Sequence, residues 1–113
     1  MEFEVHQGQV EGEDEAVAEL QRLGMTAVAL DFEPEESEMH WHDFDSRVYV
    51  VEGYLRIELP DGQACDLHAG DMIEADAGVV HREVTRGYRA VIGFAVDPTT
   101  LSRPINKPAS ELV

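Results

Sequence analysis

The chain has 113 residues, of which 24 are acidic and 8 are basic, so its formal net charge is −16. This length suits one small domain with a single core, and a hydrophobic content of 43% is ordinary for a globular protein. The excess of acids argues against nucleic acid and anionic membrane surfaces as partners, because both attract clustered lysine and arginine.

The sequence predicts no targeting or membrane-spanning segment. Its first residues, MEFEVH, are acidic where a secretory signal carries positive charge. The longest apolar run, residues 90–96, is far too short to cross a bilayer. The single cysteine, Cys65, cannot form an internal disulfide and suits a reducing compartment. We therefore expect a cytoplasmic protein.

An N-terminal extension, residues 1–24, is predicted to hold a weak strand over residues 3–10 and one short helix over residues 14–24. In the helix, Val17, Leu20 and Leu23 recur at near-helical spacing and acids crowd the first turn. Gly24 suits the left-handed position that follows a helix. We expect this helix to pack against the rest of the domain as a brace or lid.

Residues 25–96 alternate between short apolar runs and turn residues, which is typical of an all-β barrel or sandwich. Gly53 and Gly87 are predicted to turn the chain between successive strands. The tail, residues 97–113, has no periodicity and is expected to wrap the surface or be mobile. Strands are predicted over residues 25–32, 39–42, 48–51, 54–59, 65–67, 82–85 and 88–96, and a turn over residues 34–37.

His40, Trp41 and His42 form the most informative motif. In a strand the two histidines project from the same face, with the tryptophan on the other. Two neighbouring imidazoles are half of a transition-metal site, although such a pair alone is a weak signal. His81, which follows a glycine turn, is predicted to complete the site.

These residues resemble the cupin superfamily of small jelly-roll β-barrels. The first cupin motif has the form G-x5-H-x-H-x3,4-E-x6-G, and the second has the form G-x5-P-x-G-x2-H-x3-N. This chain departs from the first motif at Pro34 and Ser46, and from the second at Asp76 and Thr85. The residues that match are His40, His42, Gly53, Gly70, Gly78 and His81.

The resemblance implies an all-β fold, a single jelly-roll barrel, in which His40, His42 and His81 bind a divalent transition metal such as Fe, Mn, Ni or Zn. The fourth ligand stays open, because a serine hydroxyl at Ser46 is a poor ligand beside a carboxylate. Water, or a loop carboxylate from Asp45 or Asp43, are alternatives. A further alternative is a site that has lost its metal, with the histidines serving as hydrogen-bonding groups.

Several other residues are weaker candidates. Glu83 shares a face with His81 if the strand is regular, so it is a candidate catalytic base or second-shell acceptor. Tyr49 is expected on the opposite strand face from Ser46. Cys65 is expected to be buried and inert. The arginines Arg47, Arg56 and Arg82 are either anion-binding groups or, more commonly, surface ion-pair partners, and His6 and His68 are expected to be exposed.

Two functions fit the sequence. The first is a small metalloenzyme, a dioxygenase or an isomerase or lyase, acting on a small molecule. Without the motif glutamate, the site would carry one more positive charge and would favour an anionic or enolised substrate. The alternative is a non-catalytic small-molecule-binding or sensory module that has lost the metal. In either case the resemblance implies a homodimer.

Overall fold

Antiparallel strands make up most of the protein in the computed structural model, which describes residues 3–95 and the backbone of residues 107–108. This architecture, with one short helix, confirms the predicted all-β fold class. The helix α1 spans Glu13–Arg22. The strands are β1 (Phe3–His6), β2 (Thr26–Phe32), β3 (Glu35–Glu36), β4 (His40–Trp41), β5 (Ser46–Glu58), β6 (Ala64–His68), β7 (Met72–Ala75), β8 (Arg82–Phe94) and β9 (Lys107–Pro108).

Two long strands, β5 and β8, form the centre of a seven-stranded sheet. They pair antiparallel over almost their whole length, from Ser46 opposite Phe94 to Glu58 opposite Arg82. The main path of the sheet runs β1, β7, β5, β8, β2. In addition, β6 pairs with the C-terminal part of β5, and β3 pairs with the N-terminal part of β8. Because alternate side chains of a strand face opposite sides, β5 and β8 contribute residues both to the interior of the barrel and to its outer face.

The structure differs from the sequence prediction at Gly53 and Gly87, which lie inside long strands rather than in turns. The pairing of β5 with β8 shifts between Val50 and Glu52 and again between Gly53 and Leu55, as at β-bulges. Gly53 has a φ of +84°, and a Cβ there would lie 2.4 Å from the carbonyl oxygen of Gly87. The glycines thus allow two paired strands to bend together without ending.

The helix covers the outer face of the sheet. Leu20 and Ala16 are fully buried in a cluster with Tyr49 and Val91. Tyr49 therefore lies on the outer face, as its strand parity predicted, whereas the neighbouring Val48 lines the barrel interior. The helix packs tightly against Gly93, where an added Cβ would lie 2.4 Å from a methyl group of Leu20.

Most local predictions place the elements within a few residues. The helix begins one residue earlier than predicted and ends before Gly24, whose φ of +77° is the left-handed conformation expected there. The predicted turn over residues 34–37 contains the two-residue strand β3. Most of the predicted tail lies outside the described residues, but β9 pairs with β4. Within the described part of the chain, no helix is long and apolar enough to cross a membrane.

Candidate metal centre

Backbone pairing brings the two histidine motifs together. His40 and His81 form an isolated antiparallel bridge, in which each backbone N–H donates to the other residue's carbonyl at 2.8 and 2.9 Å. The N–H of Gly78 donates to the carbonyl of His42 at 2.8 Å, which holds the loop before His81 against the first motif. Glu83 follows His81 by two residues and so projects from the same face.

Three histidines and one glutamate converge at this point. The ligand atoms of His40, His42, His81 and Glu83 all lie within 4.8 Å of one another. The ring centroids of His40 and His81 are 4.6 Å apart, and each lies 5.1 Å from the ring of His42. His40 and His81 are both buried, at 5% exposure. A set of three imidazoles and one carboxylate suits a divalent transition metal.

Hydrogen bonds to the backbone orient two of the rings. The Nδ1 of His40 lies 2.8 Å from the carbonyl of Glu38, and the Nδ1 of His81 lies 2.9 Å from the carbonyl of Val79. A carbonyl only accepts, so each Nδ1 donates its proton and each neutral ring keeps a lone pair on Nε2. Metal-binding histidines are commonly held in this way, with the outer nitrogen donating to the protein.

Both Nε2 atoms face the Glu83 carboxylate, at 3.2 Å from His40 and 3.2 Å from His81. Lone pairs and a carboxylate attract one another only through a shared cation, either protons on the rings or a metal ion. The Nε2 of His40 is also buried without a hydrogen-bond partner among the described residues. The residues present therefore fit a bound metal ion.

The charges in the cluster depend strongly on one another. Burial alone would raise the pKa of Glu83, but the adjacent rings of His40 and His81 outweigh it and hold that pKa far below its usual range. Burial would likewise lower the pKa of His40, yet the Glu83 carboxylate raises it overall. The pocket thus stabilises an ionised carboxylate next to positive charge.

Ser37 is a residue of this site that the sequence analysis did not identify. Its hydroxyl donates to the Glu83 carboxylate at 2.9 Å and accepts from the Glu83 backbone N–H at 2.9 Å. Its own N–H donates to the Glu83 carbonyl at 2.9 Å. Ser37 therefore fixes both the backbone and the side chain of Glu83. No local motif marks it, because its partner lies 46 residues away in the sequence.

The centre opens into a cavity of about 500 Å³ inside the barrel. His42, His81 and Glu83 form part of its wall. Most of the remaining wall is apolar, and the polar exceptions are Ser46, Glu35 and Tyr88. Burial and the charges of Glu83 and Glu35 raise the pKa of the Tyr88 phenol, so it stays protonated. A largely apolar cavity with a few convergent polar groups is the usual form of a small-molecule site.

The two side chains predicted at the fourth ligand position lie elsewhere. Asp45 is outside the group, and its carboxylate accepts a hydrogen bond from the backbone N–H of Ala77 at 2.7 Å. Ser46 lines the cavity but is also outside the group. Glu83, considered from the sequence as a base or second-shell acceptor, is the carboxylate that lies in the group. The premise that the site lacks an acid therefore does not hold.

The remaining candidates are not part of the centre. Arg47 pairs with Glu74, Arg56 with Glu58 and Asp66, and Arg82 with Glu36 and Glu58. These arginines are ion-pair partners, the commoner of the two roles expected for them.

The other two histidines lie outside the group as well. His68 is exposed, as predicted, and His6 is only partly exposed and lies 3.2 Å from Glu74. Cys65 is half-buried, and burial followed by the charge of Asp66 raises the pKa of its thiol.

Comparison with known proteins supports the same architecture. A DUF861 family protein from Thermotoga maritima has a TM-score of 0.61 at 18% identity, covering 82% of this chain and 99% of that one. An RmlC-like cupin from Shewanella frigidimarina has a TM-score of 0.53 at 25% identity, covering 79% of this chain and 71% of that one. The DMSP lyase DddQ from Ruegeria pomeroyi has a TM-score of 0.57 at 18% identity, covering 67% of this chain but only 40% of the lyase.

The likenesses at 18% identity show the fold alone, and no curated protein matches the sequence significantly. The sequence itself matches the family model for the cupin domain over residues 29–96, more than half of its length. The matched segment contains all four residues of the centre. This match confirms the resemblance inferred from the two histidine motifs: the chain belongs to the cupin family.

Proposed function

We propose that this protein is a metal-dependent enzyme that holds one divalent transition metal ion through His40, His42, His81 and Glu83. The observation that carries the proposal is the orientation of the rings. The backbone fixes the Nδ1 protons of His40 and His81, so that both Nε2 atoms face one partly buried carboxylate. A barrel that holds no metal ion would have no need of this convergence of lone pairs and charge.

The reaction takes place in the adjoining cavity on a small, largely apolar molecule. A metal ion bound there would polarise a carbonyl, as in an isomerase or lyase, or activate dioxygen if it is iron. The apolar wall of the cavity keeps water from the reacting group. The protonated phenol of Tyr88 is available to donate a hydrogen bond to a substrate oxygen, and the hydroxyl of Ser46 lines the same space.

The test is the metal content of purified, untagged protein, measured by elemental analysis before and after reconstitution with Fe(II), Mn(II), Ni(II) or Zn(II). We expect about one metal ion per chain, as binding at a single preformed site requires. His40→Ala should lose the metal. His68→Ala is the matched control, since that side chain is 68% exposed and lies outside the group, and it should keep the metal.

Absence of metal from the wild-type protein under every condition would overturn the proposal. The alternative, a small-molecule-binding cupin without a metal, would then be favoured. If metal is present, its identity narrows the reaction, because zinc has no redox chemistry and polarises carbonyls as a Lewis acid, whereas iron can also activate dioxygen.

A further inference from the structure

The cavity next to the metal centre has an unbalanced set of charges. Its only charged side chains are Glu35 and Glu83, and no arginine or lysine is among the described residues that line it. The nearest candidate, Arg82, pairs with Glu36 and Glu58. An anionic group on a ligand would therefore find only the imidazoles of His42 and His81, or a metal ion held there, as positive partners in the described wall.

Glu35 is the acid in this wall that does not belong to the ligand group. Its side chain is exposed, and its carboxylate makes no hydrogen bond or ion pair with any residue that the structure describes, although its charge raises the pKa of both His40 and Tyr88. Its neighbour Glu36 behaves differently, because successive residues of β3 point to opposite faces and Glu36 pairs with Arg82 at 3.2 Å. Glu35 thus brings an unpaired negative charge to a cavity that is otherwise mostly apolar.

Two stacked aromatic rings lie in the same part of the wall. Phe32 and Tyr88 are partners in the β2–β8 register, and their ring centroids are 4.5 Å apart with an interplanar angle of 9°. Glu35 follows three residues after Phe32 and is opposite Thr85 on β8. Aromatic rings and a carboxylate side by side attract an organic cation, the rings through their quadrupoles and the acid through its charge.

We propose that this cavity takes an apolar molecule that carries a protonated amine, and that Glu35 beside the Phe32–Tyr88 pair receives the cation. The inference rests on the proposed function in treating the cavity as the substrate site, and it names the substrate class. It replaces the anionic substrate expected from the sequence, because that expectation assumed a centre without a carboxylate, whereas Glu83 lies there.

The test compares three probes that share a phenylpropyl body: 3-phenylpropylamine, 3-phenylpropan-1-ol and 3-phenylpropanoate. Affinities are measured by isothermal titration calorimetry at pH 7, on metal-free and on Zn²⁺-loaded protein. At this pH an alkylamine is protonated and has no lone pair for a metal, since its pKa is about 10. We expect the amine to bind about fivefold more tightly than the alcohol, a difference of about 1 kcal/mol, and the carboxylate to bind metal-free protein least.

Variants test whether Glu35 is responsible. Glu35→Gln should bring the affinity for the amine down to that for the alcohol, whereas the matched control Glu36→Gln should keep the wild-type preference because Glu36 faces Arg82. Equal affinity for amine and alcohol in the wild type, a preference that survives Glu35→Gln, or no binding of any probe would each overturn the inference. Since the preference is measured without metal, its failure is distinct from a failure to bind metal.

Discussion

Replacement of Ser37 by alanine tests how the carboxylate of the centre is positioned. The substitution removes the hydroxyl that donates to the Glu83 carboxylate and accepts from the Glu83 N–H, and it keeps only the bond from the Ser37 N–H to the Glu83 carbonyl. Loss of a group that orients a metal ligand typically lowers metal affinity by about 10- to 100-fold. This range corresponds to about 1.4–2.8 kcal/mol of binding free energy.

The assay is competition for Zn²⁺ between the protein and a chromophoric chelator, with the folded state of each variant checked by circular dichroism. Ser37→Thr should keep most of the affinity, because it retains the hydroxyl. Ser46→Ala is the matched control, since Ser46 lines the cavity but does not belong to the ligand group. If Ser37→Ala bound Zn²⁺ like the wild type while Ser46→Ala bound it weakly, our assignment of the fourth ligand would be wrong.

Three further predictions follow from the structure. Glu83→Gln should weaken Zn²⁺ binding by more than about 100-fold in the same competition assay, because on the proposed assignment it removes a ligand rather than a positioning group, and Glu11→Gln on the surface should leave it unchanged. Asp45→Asn should lower the free energy of unfolding by about 1 kcal/mol, because it weakens the hydrogen bond that the Asp45 carboxylate accepts from a backbone N–H. Its Zn²⁺ affinity should stay within about twofold of the wild type, and a larger loss of affinity would indicate that Asp45 is a ligand after all. Gly93→Ala should destabilise the fold by about 1–3 kcal/mol in urea titrations, because its Cβ would meet Leu20, and the cost should shrink in a Leu20→Ala background.

The histidines of the centre could be predicted from the sequence because their signal is local. His40 and His42 are two residues apart in the sequence, and His81 follows Gly78 at the spacing that the second cupin motif has between its glycine and its histidine. The strand parity around Tyr49 could be predicted for the same reason, since alternation along a strand needs no knowledge of its partner. The helix that covers Tyr49 was also predictable from its own spacing.

The role of Glu83 depends on contacts between distant parts of the chain. Its carboxylate reaches the centre because His81 pairs with His40 and because Ser37, 46 residues away, holds it. Neither contact leaves a local pattern in the sequence, so Asp45, which is closer to His42 in the sequence, was the more natural candidate for the fourth ligand. The shape and charge of the cavity, including the position of Glu35, likewise follow only from the assembled barrel.

The structure around Gly53 and Gly87 could not be predicted from the sequence for a related reason. A glycine with positive φ is required both in a turn that ends a strand and in a bulge that continues it, so the local signal is the same. Here Gly53 lies opposite Tyr88 on the paired strand, and the carbonyl of the adjacent Gly87 fills the space beside Gly53. Only the strand partner distinguishes a bulge from a turn.

The most direct test of the metal centre is a crystal structure of the protein grown with Zn²⁺, with anomalous diffraction measured at the zinc edge. The account predicts one strong peak bound by ring nitrogens of His40, His42 and His81 and by the carboxylate of Glu83, at the distances of about 2.0–2.2 Å that zinc takes with such ligands. A peak only at the surface group of Glu4, His6 and Glu74, or no peak at all, would contradict it.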